Sequence, residues 1–202
     1  MLRIAITGGI ACGKSLVGAF LAEQGVPVCD ADALVHGLME AGQPVHGQIV
    51  DAFGRGVLLP EGAIDRRALG QAIFQDPAAR RRLNAIVHPK VIAAWRQWLA
   101  EREKEGDRAA VVIVPLLYEI GDGGSWDAVL CVSAPEDFQI RRLEERGLSR
   151  TDAVSRIRAQ MDVGEKTAKA DYVVVNKGSR AVLRRQTLQV WESILGDRKV
   201  CA

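Results

Sequence analysis

Eight residues near the N-terminus, Gly8-Gly9-Ile10-Ala11-Cys12-Gly13-Lys14-Ser15, follow the pattern Gly-x-x-x-x-Gly-Lys-Ser, a spacing suited to holding phosphate. The glycines let successive backbone N–H groups turn inward around phosphate oxygens, and a helix starting behind them adds the partial positive charge of its N-terminus. Lys14 would reach the β and γ phosphates of a nucleoside triphosphate, and the Ser15 hydroxyl would sit on the Mg²⁺ that bridges them. Gly9, Ile10, Ala11, Cys12, Gly13, Lys14, Ser15 and Leu16 are therefore the expected nucleotide-binding residues. A thiol near a helix N-terminus can be reactive. At Cys12 a small side chain in a variable loop position is the stronger explanation, and no catalytic role is assigned to it.

Two carboxylates come next. Val26-Pro27-Val28-Cys29 suits a short strand entered at Pro27. Asp30-Ala31-Asp32 then falls where open α/β sheets bind ligands, beyond the carboxyl ends of their strands. In an extended chain Asp30 and Asp32 would point to one side, roughly 6 to 7 Å apart. A carboxylate there can accept the proton of a substrate hydroxyl or hold Mg²⁺ through water; an aspartate capping the next helix is the alternative for Asp32. Further on, Arg142, Arg146 and Arg150 recur at four-residue spacing, with Arg156 and Arg158 beyond. A mobile lid carrying arginines would neutralise a transferring phosphoryl group and exclude water. Glu144 and Glu145 interleave with them, so an ion-paired helix face accounts for part of the pattern.

Other phosphate-loop chemistries fit less well. A motor or transporter ATPase would end a later strand with a Mg²⁺-organising aspartate, whereas Val111-Val112-Ile113-Val114 runs into Pro115. Asp51-Ala52-Phe53-Gly54 and Asn176-Lys177 are partial matches to GTPase motifs. Residue 179 is Ser where guanine recognition needs Asp, and Asp51 follows a helical rather than a strand-like stretch.

These groups need elements to position them. Residues 2 to 6 are a short apolar run ending at glycines, as expected of a strand buried on both faces of a parallel sheet. Val17, Phe20 and Leu21 share one helical face, and Gly25 supplies the stop. Residues 32 to 105 read as mostly helical, with Asp76-Pro77 as an N-cap and first turn and His88-Pro89 opening the next helix in the same way. Ala109 to Val114, Ala128 to Val132 and Tyr172 to Val175 complete five candidate strands. The charged stretch 136 to 168 reads as two helices meeting near Gly147, the second opened by Ser149 with Asp152. Asp122-Gly123-Gly124-Ser125 is the expected flexible loop. Strands alternating with helices predict a three-layer α/β domain on a parallel sheet.

Composition sets outer limits. The 202 residues are 48% hydrophobic and 26% charged, which argues against extended disorder and a coiled coil. A net charge of +2 gives no reason to expect a nucleic-acid partner. No run is long and apolar enough to cross a bilayer, and the N-terminal run is too short for a signal-peptide core, so a cytoplasmic protein is expected. Cys12, Cys29, Cys131 and Cys201 show no zinc-like spacing, so reduced thiols are expected, and Cys201 is misplaced for prenylation.

The ordered set of motifs is more specific than the phosphate loop alone. Thr7 through Ser15, Asp30-Ala31-Asp32, Leu83-Asn84-Ala85-Ile86-Val87-His88-Pro89 and Val114-Pro115-Leu116-Leu117-Tyr118-Glu119 are followed by Gln139, Arg142, Leu143 and Arg146. Arg156, Gln160, Ala170-Asp171-Tyr172 and Asn176-Lys177-Gly178 continue the series. Together they resemble the dephospho-coenzyme A kinase family from residue 3 to about residue 190. The resemblance implies a nucleoside-monophosphate-kinase-like fold with a five-stranded parallel sheet in the order 2-3-1-4-5. It implies a core of residues 1–32, 106–135 and 169–202, an inserted helical substrate-binding region at 33–105, and a helical lid at 136–168.

The implied reaction is ATP-dependent phosphorylation of the ribose 3′-hydroxyl of dephospho-coenzyme A, with Mg²⁺, as the last step of coenzyme A synthesis. In that scheme Asp32 is the general base, Asp30 assists Mg²⁺ alongside Ser15, and Lys14 and Arg142 act on the phosphates. Asn176 to Ser179 lie near the adenine. A small-molecule substrate with no nucleic-acid or membrane partner, and a monomer or weak homo-oligomer, complete the expectation. Ala11-Cys12 and Leu16 depart from the Gly-Ser and Thr common in relatives, and Tyr118 replaces a frequent Phe. His36 and His88 stay open between structural and substrate-binding roles. Another small-molecule or nucleoside-monophosphate kinase of the same fold is the competing expectation, and a nucleotide-dependent switch a distant one.

Overall fold

Short β-branched and aliphatic runs form the strands, because a strand covered on both faces needs apolar residues in both alternating sets. The structure, a computed structural model, describes residues 1–123 and 125–197, without the side chains of Phe74, Gln75 and Asp197. Gly124 of the expected loop and Cys201 lie outside the described residues. Five parallel strands, β1 (Leu2–Gly8), β2 (Val28–Asp30), β3 (Ala109–Ile113), β4 (Ala128–Ser133) and β5 (Tyr172–Val175), lie in the order β2-β3-β1-β4-β5. This is the expected order.

Ile4, Ile6, Val111, Ile113, Leu130, Val132 and Val174 pack on one face. They meet Val17, Phe20 and Leu21 of α1 (Lys14–Ala22) and Leu183 and Ile194 of α9 (Arg180–Asp197). The alternate residues Ala5, Val112, Val129 and Cys131 are just as buried, so the opposite face is covered too. Three layers result.

Contacts divide the chain into two units, Met1–Asp30 with Glu101–Ala202, and Ala31–Ala100. The second unit is helical: α2 (Ala31–Leu38), α3 (Pro44–Phe53), α4 (Arg66–Gln75) and most of α5 (Pro77–Lys104). It has its own core of Val45, Ile49, Val57, Ile64, Leu69 and Val87. Asp51 lies on α3, as its exclusion from a GTPase motif requires.

Two local expectations need correction. Asp76 does cap α5, accepting from Ala78 N at 2.7 Å. His88-Pro89, however, opens nothing; Pro89 sits inside the continuous α5. The buried row Val87, Val91, Trp95, Leu99 runs straight past it, and that burial outweighs the single backbone donor that proline removes. The 136–168 stretch resolves into three helices rather than two: α6 (Glu136–Glu144), α7 (Arg150–Arg158) and α8 (Val163–Lys169). Ser149 caps α7 as expected, and Asp162 caps α8 by accepting from Gly164 N at 2.7 Å and Glu165 N at 3.3 Å. On either side of Gly124, Asp122 is buried and accepts the Ser125 hydroxyl at 2.9 Å.

Burial also sets an alkaline limit. The thiols of Cys29 and Cys131 are pushed up to about 11, chiefly by desolvation, with Asp30 adding at Cys29 and Cys12 adding at Cys131. An unfolded thiol titrates near about 8.5. The folded value lies above the unfolded one, so this contribution to stability is complete below the unfolded pKa and is lost as pH rises through the folded one. Thermal midpoints measured upward from about pH 8.5 are expected to fall, and to fall less steeply in Cys131→Ala. Parallel curves for the two proteins would assign the loss to other groups.

Candidate functional site

The phosphate loop leaves β1 at Gly8, where a strand and a loop are pressed together. Gly8 has φ 141, and a Cβ there would collide with the Val132 carbonyl of β4. Gly13, the residue before α1, has φ 101, and a Cβ there would collide with the side-chain amide of Asn176. Gly8 excludes any other residue, a side chain at Gly13 would have to displace Asn176 and adopt a strained backbone, and these two glycines set the path of the loop. Ala11 carries φ 57 between them, the only positive φ outside glycine among the described residues. A Gly at this position would relax that conformation.

Polar contacts knit the loop to its surroundings. The Lys14 ammonium donates to the carbonyls of Gly9 at 2.8 Å and Gly8 at 3.1 Å, which keeps it at the β1 end of the loop. Arg142 donates to the Ala11 carbonyl at 3.0 Å and the Asn176 carbonyl at 3.1 Å, with its guanidinium 5.7 Å from the Phe138 ring centroid. The buried Asn176 amide donates to the Cys12 carbonyl at 2.8 Å. The residues assigned to nucleotide binding from distant parts of the sequence, the loop, Arg142 and Asn176, thus meet. The Cys12 side chain lies beneath the loop, fully buried, and burial pushes its thiol up despite the lowering influence of Lys14. It is packing, not chemistry.

Ser15 is exposed at the start of α1. No group of three or more His, Cys, Asp or Glu among the described residues could hold a metal ion. A hydroxyl and few carboxylates suit Mg²⁺, which keeps several waters and is held largely by phosphate oxygens. Asp30 is the last residue of β2, half-buried. Asp32 is exposed in the first turn of α2 and belongs to the helical unit. The chain turns helical at Ala31, so the extended Asp30-Ala31-Asp32 geometry does not form. His36, also on α2, is exposed; His88, on α5, is half-buried, and desolvation lowers its pKa.

Of the other arginines, Arg146, Arg150, Arg156 and Arg158 are exposed, and Arg150 lies 3.8 Å from Glu144. Arg158 borders a pocket of about 500 Å³, together with Gly9, Pro135, Gln139, Gln160 and Asp162. Gln160 Oε1 accepts from Ile10 N at 2.9 Å. Behind it, Glu119 Oε1 accepts from Met161 N at 3.1 Å and pairs with Lys166 at 2.7 Å, while Lys166 also donates to the Pro115 carbonyl at 2.8 Å. Lys166 is fully buried. Nothing in the sequence separates it from the solvated Lys169 one turn on; its partners lie some fifty residues earlier. Gln160 and Glu119 were visible only as parts of motifs without roles.

The dephospho-CoA kinase family model matches residues 2–181. The dephospho-CoA kinase of Anaeromyxobacter dehalogenans is 45% identical over 199 residues, covering 98% of this chain and 94% of that one. The crystal structure of TT1252 from Thermus thermophilus superposes with a TM-score of 0.82 at 35% identity, over 95% of this chain and 96% of that one. A dephospho-CoA kinase from Campylobacter jejuni superposes at 0.71 and 29% identity over the same shares.

Two outcomes test the loop. Gly13→Ala forces Asn176 off the Cys12 carbonyl and strains a left-handed residue, a loss of about 3 kcal/mol. Denaturant titration should show it, with weakened ATP binding, and an unchanged unfolding midpoint would contradict the packing. Alkylation of Cys12 by iodoacetamide near neutral pH, followed by peptide mass spectrometry, should be slow in the native protein and fast in denaturant. Rapid native labelling would mean the thiol is not sealed under the loop.

Proposed function

The chain belongs to the dephospho-CoA kinase family, and from that premise we propose that it phosphorylates the ribose 3′-hydroxyl of dephospho-coenzyme A with ATP. The products are coenzyme A and ADP, in the final step of coenzyme A synthesis. The observation that carries the reading is the sealed phosphate loop with Lys14 at its β1 end and Arg142 joining it to Asn176.

Loop amides and Lys14 hold the β and γ phosphates, and Asn176 lies beside the adenine. Ser15, helped by Asp30, holds Mg²⁺, which when bound offsets charge on the β and γ phosphates. Asp32 takes the proton of the 3′-hydroxyl as that oxygen attacks the γ phosphorus and the bond to the ADP oxygen breaks. Arg142 adds positive charge where negative charge accumulates. Within the 136–168 lid, α8 is held by the buried Lys166 pair, so the moving part is α7, whose exposed Arg156 and Arg158 closure would bring to the phosphates. Most of the acceleration comes from positioning and charge neutralisation. The free, buried thiols of Cys12, Cys29 and Cys131 suit a reducing compartment, and no described helix is long and apolar enough to cross a membrane. We place the enzyme in the cytoplasm, as a monomer or weak homo-oligomer without nucleic-acid partners.

Asp32→Asn should bind ATP as the wild type does and lose about 100 to 10,000-fold in turnover. Near wild-type turnover in that variant would remove Asp32 from the base role. ADP release measured in parallel with dephospho-coenzyme A, AMP, CMP and shikimate should be fastest with dephospho-coenzyme A; a faster rate with any of the others would overturn the substrate assignment.

A further inference from the structure

Gln160 has one end fixed on the phosphate loop, and its side chain borders a pocket beside that loop. A backbone N–H can only donate, so the contact at 2.9 Å from Ile10 N must be made by the Gln160 carbonyl oxygen, and this settles which way its amide points. The Nε2 donor makes no hydrogen bond to any described residue, and the side chain borders the pocket that Gly9 and Arg158 also line. Lys14 shows which phosphate that pocket adjoins. Its ammonium, the group suited to β and γ phosphates, is held at the Gly8 and Gly9 carbonyls, the end of the loop away from α1. The helix N-terminus takes the inner phosphates; the Gly9 end is left with the terminal one.

We infer that Gln160 is a catalytic residue that donates through Nε2 to the γ-phosphoryl group of ATP, positioned by the latch from its oxygen to the Ile10 amide. The inference rests on the phosphoryl-transfer reading above and adds to it a neutral donor not assigned there.

The backbone around Gln160 is braced for this. On its C-terminal side Met161 N donates to Glu119, which is held by the fully buried Lys166, itself donating to the Pro115 carbonyl at the end of β3. Donors fixed in place before charge develops are those that favour a transition state. Glu136 and Asp162 also border the pocket, and Asp162 is engaged in capping α8. With carboxylates already present, a neutral amide adds a donor to the phosphate without adding another negative charge.

Gln160→Glu separates the donor from the latch, because a carboxylate oxygen can still accept from Ile10 N but has no N–H to offer and repels phosphate. Gln160→Met removes both. Calorimetric binding of an unreactive ATP analogue and of ADP, thermal midpoints, and kcat and KM are compared across the three proteins. Gln160→Glu should keep the wild-type thermal midpoint, lose about 100-fold in kcat, and weaken the analogue about tenfold more than ADP. Gln160→Met should lose kcat and also melt lower. A Gln160→Glu variant that turns over within twofold of wild type, or that weakens analogue and ADP equally, would reduce Gln160 to a structural latch. If the variants do not fold, the side-chain amide resonances of Gln160 in the unaltered protein decide: they should shift on adding the analogue and stay in place with ADP, and the absence of that difference overturns the inference. The binding comparison needs no acceptor. A failure to phosphorylate dephospho-coenzyme A would therefore sink the substrate assignment while leaving the Gln160 result to stand or fall by itself.

Discussion

The carbonyl of Val132 leaves no room for a side chain on the residue that ends β1, and most of the site follows from that contact. With Gly8 forced on the position, the chain can leave the sheet in a conformation closed to other residues and bend back over its own end. Gly13 meets a softer limit from the other side, the side-chain amide of Asn176. Between these two pinch points the loop has no freedom to close over itself. Its carbonyls are taken up by Lys14, Arg142 and Asn176, and its Ile10 amide by Gln160.

The charges obey a related logic. A net charge of +2 over 202 residues hides a concentration of cations at one end of the sheet. Lys14 and Arg142 both hold backbone carbonyls near the loop, so little side-chain freedom would be left to lose in the proposed phosphate contacts. Lys166 is different in kind. A fully buried ammonium is costly unless paired, and it is paired with Glu119 and a carbonyl. Such a pair adds little net stability and much definition, because it connects the segment after β3 to α8, and the same Glu119 holds Met161 beside Gln160.

Much of the machinery was legible in the sequence because it is local. The glycine spacing, the strand before it and the helix after it lie within twenty residues, and each has its own periodic or conformational signal. The sheet order came with the family resemblance rather than from the strands themselves. Junctions were less legible. His88-Pro89 looks like a helix start, and only the buried row from Val87 to Leu99 makes it a point along a longer helix. Asp30 and Asp32 look like neighbours on a strand, and the turn into α2 at Ala31 separates their settings. The third helix of the 136–168 stretch carries its own cap in Asp162, a signal present in the sequence but not recognised there.

What the sequence determined by itself is the phosphate loop, its place between β1 and α1, and the residue types available for phosphoryl transfer, since these depend on near neighbours and on the conformations glycine alone allows. What only the tertiary structure decided is which distant side chains serve that loop: Arg142 and Asn176 at its carbonyls, Gln160 at the Ile10 amide, and Lys166 rather than Lys169 inside the fold. Those choices depend on hydrogen bonds between segments up to 164 residues apart, and a donor's partner across that separation is set by how the sheet stacks its strands, which no local pattern records.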